Sequence, residues 1–170
     1  MDNFKRIARF EIVSFDQFKN SFEDKNDDEI KKIYESLSIP KRATKGSAGY
    51  DFYAPFDICL APGQTIKIPT GIRVYMEENY VLKLYPRSGL GFKYRLQLNN
   101  TVGIIDSDYY ESDNEGHIFI KITNNTLDGK TIELKCGDAF AQGIFNKYYL
   151  AKENKVHTKR NGGFGSTNQK

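Results

Sequence analysis

Five short segments of this 170-residue chain combine residue types at spacings that could carry chemistry. In NNTVGIIDSDYY (99–110), a glycine and β-branched residues lead an apolar run to Asp106. A carboxylate at the end of such a run is partly shielded from water and held in one orientation, as a general base requires. Asp108, two residues on, would share that face if the strand stayed extended. Taken alone, two aspartates beside a tyrosine are more often a solvated turn than a catalytic segment. In PRSGLG (86–91), Pro86 stops a strand, and Arg87, Ser88 and Gly89 bring together a guanidinium, a hydroxyl and an unhindered amide. Those groups bind phosphate chains, although a polar turn accounts for them equally well. GSAGYD (46–51) offers Asp51 as an acceptor near a cation or its bound waters, against the commoner reading of a glycine turn. CGDAFAQG (136–143) reads as a hairpin turn and a core strand that aims Gln142 into any cavity it lines. KRNGGFGSTN (159–168) has glycines that free the backbone to wrap a phosphate. Ser166 and Thr167 add hydroxyls, Phe164 a stacking face, and Lys159 and Arg160 charge; a disordered tail has the same composition.

Other chemistries lack their residues. There is no Walker pattern GxxxxGK[ST] and no GxSxG. His117 and His157 stand isolated, and no Cys/His spacing suggests zinc. Cys59 and Cys136 form no CxxC and are read as reduced thiols. A net charge of +3 is too small to argue for nucleic acid but suits a small anionic ligand. No run of about eighteen apolar residues suggests a membrane span, and MDNFKRIARF lacks the apolar core of a signal peptide. A cytoplasmic location is expected, with no membrane and no nucleic-acid partner.

The elements that must hold these groups are mostly short strands. Residues 6–13 alternate, with Ala8, Phe10 and Ile12 on one face. Ser14–Gln17 has the spacing of a capping box, and Ile30, Ile33, Tyr34 and Leu37 fall at helical intervals before Pro40. After Pro40 come DFYA, DICL, TIKIP, IRVYM, YVLKLY, HIFIKIT, TIELK and AFAQGIFNKYYL, separated by turn signals at 62–63, 77–79, 124–125, 128–129 and 136–138. Many short strands with regular turns predict an all-β sandwich or jelly roll. The boundaries expected are one domain over 1–150, a helical insertion at about 14–38, and a flexible C-terminal arm over 151–170.

Read together, AGYD, PRSGL, GIIDSDY, GDAFAQ and GGFGST resemble, in order and spacing, the five motifs of the homotrimeric deoxyuridine triphosphatase (dUTPase) family, over about residues 40–170. The resemblance implies a jelly-roll-like β-barrel assembled as a homotrimer, with active sites shared between subunits and the C-terminal arm closing over a neighbour's site. It implies hydrolysis of dUTP to dUMP and pyrophosphate, with magnesium (Mg2+) held mainly by the triphosphate. Asp106 is then the general base. Tyr109 lies flat on the deoxyribose and excludes a 2′-hydroxyl. Asn100 and the backbone of Gly103, Ile104 and Ile105 bond the uracil edge. Arg87, Ser88, Gly89 and Gln142 hold phosphates, and Asp51 reaches the metal through water. Phe164 stacks on uracil, while Arg160, Gly165, Ser166 and Thr167 bind the β- and γ-phosphates.

The chain departs from the family pattern in four places. YESDNEG (110–116) intervenes between Tyr109 and the glycine that usually follows closely, and is expected to lengthen a surface turn. Ala139 stands where arginine is usual. In the last motif Lys159 occupies the usual arginine place and Arg160 the next; Arg160 is favoured for its bidentate geometry. Residues 14–38 are longer than is common there. A dCTP deaminase of the same fold is the nearest rival, although those enzymes carry glutamate where this chain has Asp106. A regulatory, phage-type relative is the other.

Overall fold

The computed structural model describes residues 5–152, so the segment carrying Arg160, Phe164, Gly165, Ser166 and Thr167 lies outside the described residues, as do Lys159 and His157. The alternation of residues 6–13 becomes strand β1 (Ala8–Ile12), followed by two helices, α1 (Phe15–Lys19) and α2 (Asp27–Glu35). Ile12 is 37% exposed, so the expected apolar face is only partly buried. Ser14 caps α1 by accepting from Gln17 N, but the return bond of a capping box is absent: Ser14 N donates to Glu115 instead. The complete box lies one helix later, between Asn26 and Glu29.

Each apolar run after Pro40 forms a strand. Short β2 (Lys41–Arg42) precedes β3 (Tyr50–Tyr53), β4 (Ile58–Leu60), β5 (Thr65–Pro69), β6 (Ile72–Met76) and β7 (Tyr80–Pro86). Helix α3 (Ser88–Tyr94) and strands β8 (Leu96–Leu98) and β9 (Gly103–Asp106) follow, then a 3-10 turn at Ser107–Glu111. Strands β10 (Phe119–Asn124), β11 (Ile132–Leu134) and β12 (Ala139–Lys147) complete the order. The period-2 pattern sorts side chains by face. Ile72, Val74 and Met76 of β6 are buried, as are Ile120 and Ile122 of β10 and Ile132 and Leu134 of β11. They join Leu82, Leu84, Phe52 and Phe140 in one core.

The protein is mostly β, as its residues predict. The strands do not close into a hydrogen-bonded barrel: they form sheets β1-β6, β5-β10-β8, β11-β4 and β2-β3-β12-β7-β9. Closure needs a continuous ladder round the ring, and strands of three residues, such as β4, β8 and β11, end before reaching a second neighbour. Among the described residues, no helix is long and apolar enough to cross a membrane.

The insertion makes a satellite core of Val13, Phe18 and Ile30, with Phe15, Phe22, Ile33, Tyr34 and Leu37 around it. It meets the main body at His117, which is fully buried, its ring 6.0 Å from that of Phe18. His117 Nε2 accepts from Gly71 N at 2.9 Å, which requires a neutral ring with its proton on Nδ1. Burial pushes the imidazole down from 6.5 to about 4; Glu115 opposes this shift and Lys67 adds to it. Because the folded pKa lies below the unfolded one, the stability present above about pH 6.5 is lost as pH falls toward 4. Between pH 7.5 and 5, urea unfolding of the unmodified protein should lose about 2 kcal/mol more than that of a His117→Gln variant. Parallel losses in the two proteins would mean that His117 contributes nothing to the acid response.

Candidate active site

The central pair of the five-stranded sheet gathers the first group of expected residues. Strand β12 lies between β3 and β7, with Gln142 opposite Asp51 on one side and Tyr85 on the other. Arg87, just past the end of β7, donates from Nη1 to Asp51 Oδ2, and its own backbone N–H is held by Phe140 O at 3.2 Å. Asp51 is nearly buried, whereas the Arg87 side chain is 38% exposed and reaches solvent. Gln142 Nε2 donates to Pro86 O at 3.2 Å. Gly49 explains the glycine of AGYD: a Cβ there would come within 2.4 Å of Gln142 Oε1, so only a bare backbone leaves room for that side chain. Ser88 and Gly89 are exposed in the first turn of α3, where amide N–H groups have no intrahelical acceptor. A helix was not expected in PRSGLG; Leu90 and Tyr94, four apart and packed against the core, were its signal.

The second group surrounds a cleft of about 260 Å³ lined by Asn99, Asn100, Gly103, Leu84, Leu98 and Phe119, among others. Sequence reading found Asn100 and Gly103 but missed Asn99, Leu98 and Phe119, which reach the cleft through strand pairing. The turn over it is tight, with Thr101 at φ 65 and Val102 N donating to Asn100 O at 2.7 Å. Strand β9 is the edge of its sheet, so one side of its backbone carries N–H and C=O groups that no strand takes. Ile104 is 53% exposed and Ile105 is buried. Asp106 closes the strand, half-buried and opposite Val81.

Two expectations about this segment change. Asp108 does not share a strand face with Asp106, because the chain leaves extended geometry at Ser107. Loop 110–116 is a turn only partly at the surface: Glu111 and Asp113 are exposed, whereas Ser112 and Gly116 are buried within it. Tyr109 is only 4% exposed, belongs to the main core, and donates from its hydroxyl to His117 O at 2.8 Å.

The structure therefore brings Asp51, Arg87 and Gln142 together with Ser88 and Gly89 beside them, and separately Asn100, Gly103, Ile104, Ile105 and Asp106. Within one chain Asp106 and Arg87 stay far apart, although Gly103 faces Leu84 across from Gly143, beside Gln142. Both hang on β7, yet Asp106 pairs with Val81 at one end and Arg87 follows Pro86 at the other. From Val81 to Arg87 at ~3.3 Å per residue is about 20 Å.

Among the described residues, no three His, Cys, Asp or Glu side chains converge to hold a metal ion by themselves. Asp51 is the nearly buried carboxylate of the first cluster, with one oxygen given to Arg87.

A charged cluster and a mostly apolar cleft edged by two asparagines, on a mostly-β scaffold, suit a small ligand that carries both a ring and negative charge. A family model described as dUTPase matches residues 35–168. The chain is 45% identical over 165 residues to the deoxyuridine 5′-triphosphate nucleotidohydrolase of Lactococcus lactis subsp. lactis (strain IL1403), covering 95% of this chain and 98% of that relative. The enzyme of the same name from Actinobacillus pleuropneumoniae serotype 5b is 40% identical, over 79% of this chain and 89% of its own length. Among solved structures, the dUTPase from Streptococcus mutans aligns with a TM-score of 0.64 at 35% identity, covering 84% of this chain and 98% of that one. A mutant dUTPase from phage phi11 of S. aureus shares the fold, at TM-score 0.63 and 22% identity, over 90% of this chain and 98% of its own. The chain belongs to the dUTPase family.

Gly103 tests the cleft's construction. A Cβ there would come within 2.9 Å of Leu84 Cβ, inside the core. Gly103→Ala should lower stability by about 1–3 kcal/mol through overpacking, measured by urea unfolding. Unchanged stability would mean that β7 and β9 pack less closely than described.

Proposed function

We propose that this protein hydrolyses dUTP to dUMP and pyrophosphate. The carrying observation is the segment Asn100–Asp106, which lines a cleft at one end and presents a carboxylate at the other. Uracil fits the cleft, its edge bonded by Asn100 and by the unpaired backbone edge of Gly103, Ile104 and Ile105, much as a base pairs with a partner. A hydrogen-bonding pocket of this kind discriminates strongly, because a wrong base leaves buried polar groups unpaired. The deoxyribose then lies toward Tyr109, whose ring leaves little space beside C2′.

Asp106 takes a proton from water as the water oxygen attacks the α-phosphorus in line. The bond from that phosphorus to the α–β bridging oxygen breaks, and pyrophosphate leaves carrying the bond's electrons. A positioned base of this type contributes roughly 100- to 10,000-fold. The larger task is holding negative charge, which falls to Arg87, Ser88, Gly89 and Gln142. A base acts only within hydrogen-bond reach of its proton, and Arg87 of the same chain is too far from Asp106 to hold the same phosphates. The phosphate cluster of each site therefore comes from a neighbouring copy, in a homotrimer with a jelly-roll-like subunit. From the last motif, Arg160, Phe164, Gly165, Ser166 and Thr167 are assigned to uracil stacking and the outer phosphates.

Magnesium fits this donor set. Mg2+ keeps several waters and takes one or two carboxylates plus substrate phosphates, so Asp51 suffices through a bound water, with no protein cage. When bound, the ion supplies charge neutralisation along the triphosphate. The reaction belongs in the cytoplasm, where nucleotides are made.

Pyrophosphate release from dUTP, dCTP, dTTP and UTP with magnesium tests the reading. Turnover should be confined essentially to dUTP, with no ammonia from dCTP. Asp106→Asn should bind dUTP normally and lose at least ~1,000-fold in kcat, near the upper part of the range for a general base. Hydrolysis by that variant at the unmodified rate would remove Asp106 from the mechanism.

A further inference from the structure

The two stretches in which this chain departs from the family pattern, the helical insertion and loop 110–116, touch one another. The family model begins at residue 35, so β1, α1 and nearly all of α2 lie before it. We infer that Glu115 is a positioning residue, which with Ser14 locks the helical insertion onto loop 110–116 and thereby fixes Tyr109 for discrimination against a 2′-hydroxyl. The inference rests on the reading of the protein as a dUTP hydrolase.

Glu115 reaches across 101 positions of sequence. Its carboxylate accepts from Ser14 N at 2.8 Å and from Ser14 Oγ at 2.5 Å. These two bonds, opposed by partial burial, hold its carboxyl below the usual range, so it is ionised at neutral pH. Its backbone is left-handed, at φ 57, a conformation that side-chain-bearing residues avoid unless the surroundings impose it. Gly116, at φ 71, continues the bend; a Cβ there would lie 2.8 Å from Tyr109 O, so the loop folds directly back onto Tyr109.

The far end of the link is the Tyr109 hydroxyl. It donates to His117 O and accepts from Asn114 Nδ2, both at 2.8 Å, while Asn114 Oδ1 accepts from Gly116 N at 3.2 Å. The neighbours of Glu115 on both sides thus grip the tyrosine. The same stretch is held at two further points, one by the insertion and one by strands β1 and β6 of the main body. Phe18 of α1 packs against His117. Tyr110 donates from its hydroxyl to Glu11 of β1 at 2.7 Å, and Arg73 of β6 donates to Tyr110 O at 3.0 Å while its guanidinium lies 3.6 Å over the Tyr110 ring. An inert surface insertion would need neither the Ser14–Glu115 bonds nor the packing of Phe18 on His117.

A purely structural staple and a positioning residue differ in one measurable ratio. The kcat/KM for dUTP divided by that for UTP is independent of how much of a preparation is folded. Glu115→Ala should lower this ratio at least tenfold, chiefly through a higher KM for dUTP and a gain with UTP. Glu115→Gln, whose amide oxygen still accepts from Ser14 N, should keep most of the selectivity, and Ser14→Ala should fall between. A ratio for Glu115→Ala within twofold of the unmodified enzyme overturns the inference. If Glu115→Ala does not fold, the Ser14→Ala ratio decides by the same criterion, a ratio within twofold overturning it. An unmodified protein inactive on dUTP would instead sink the functional reading, and this inference with it.

Discussion

The antiparallel register of β7 with its two neighbours governs everything else about the site. Strand β12 holds Gln142 beside Asp51 and near Arg87 at the end of β7, and β9 carries Asp106 to the opposite end. Backbone pairing leaves no freedom to bring those ends together. A slip by one residue would turn Leu82 and Leu84, both in the core, out to solvent. The same ladder that makes each half of the site rigid therefore keeps Asp106 about 20 Å from Arg87 along β7 in any one copy. Preorganised donors stabilise developing charge because they do not reorganise during reaction, and a rigid sheet supplies that. The proposal of a composite site rests on this rigidity together with the reach a general base needs.

Around this frame, local interactions aim the side chains. Asp51 orients Arg87, and the bare backbone of Gly49 makes room for Gln142. Placing β9 at a sheet edge leaves one side of its backbone without a strand partner. The helical insertion meets this scheme through Glu115, bonded to Ser14, and through His117, packed against Phe18. Sequestering a neutral imidazole between the satellite core and Gly71 makes that junction sensitive to acid.

Much of this was legible in the sequence, and the reasons differ by element. Strands such as β6 and β10 announce themselves through alternation, because one face is core and the other is not. Asp106 at the end of an apolar run, and Arg87 with Ser88 and Gly89 after a proline, were visible as chemistry although not as partners. What escaped depends on distant residues. The return bond to Ser14 comes from Glu115 rather than from its own helix, and no local pattern encodes a partner 101 positions away. The loop after Tyr109 has a polar composition that reads as solvent-exposed, yet Arg73, Glu11 and Ser14 tie Tyr110 and Glu115 down and part of it is buried. Barrel closure was implied by the family resemblance, but it depends on strand length and edge pairing, which alternation does not report. The separation of the two clusters needs the β7 register and so was invisible until strands were paired.

The most direct test of the shared site mixes two inactive subunits. Asp106→Asn lacks the base and Arg87→Ala lacks the phosphate clamp, so each alone should be nearly inert toward dUTP. When equal amounts of the two chains assemble at random in closed oligomers, about a quarter of the sites join an intact Asp106 from one copy to an intact Arg87 from its neighbour. Coexpressed mixed oligomers should then recover roughly a quarter of the unmodified kcat per site. Activity no greater than the sum of the two separate variants would contradict the account and place both groups within a single copy.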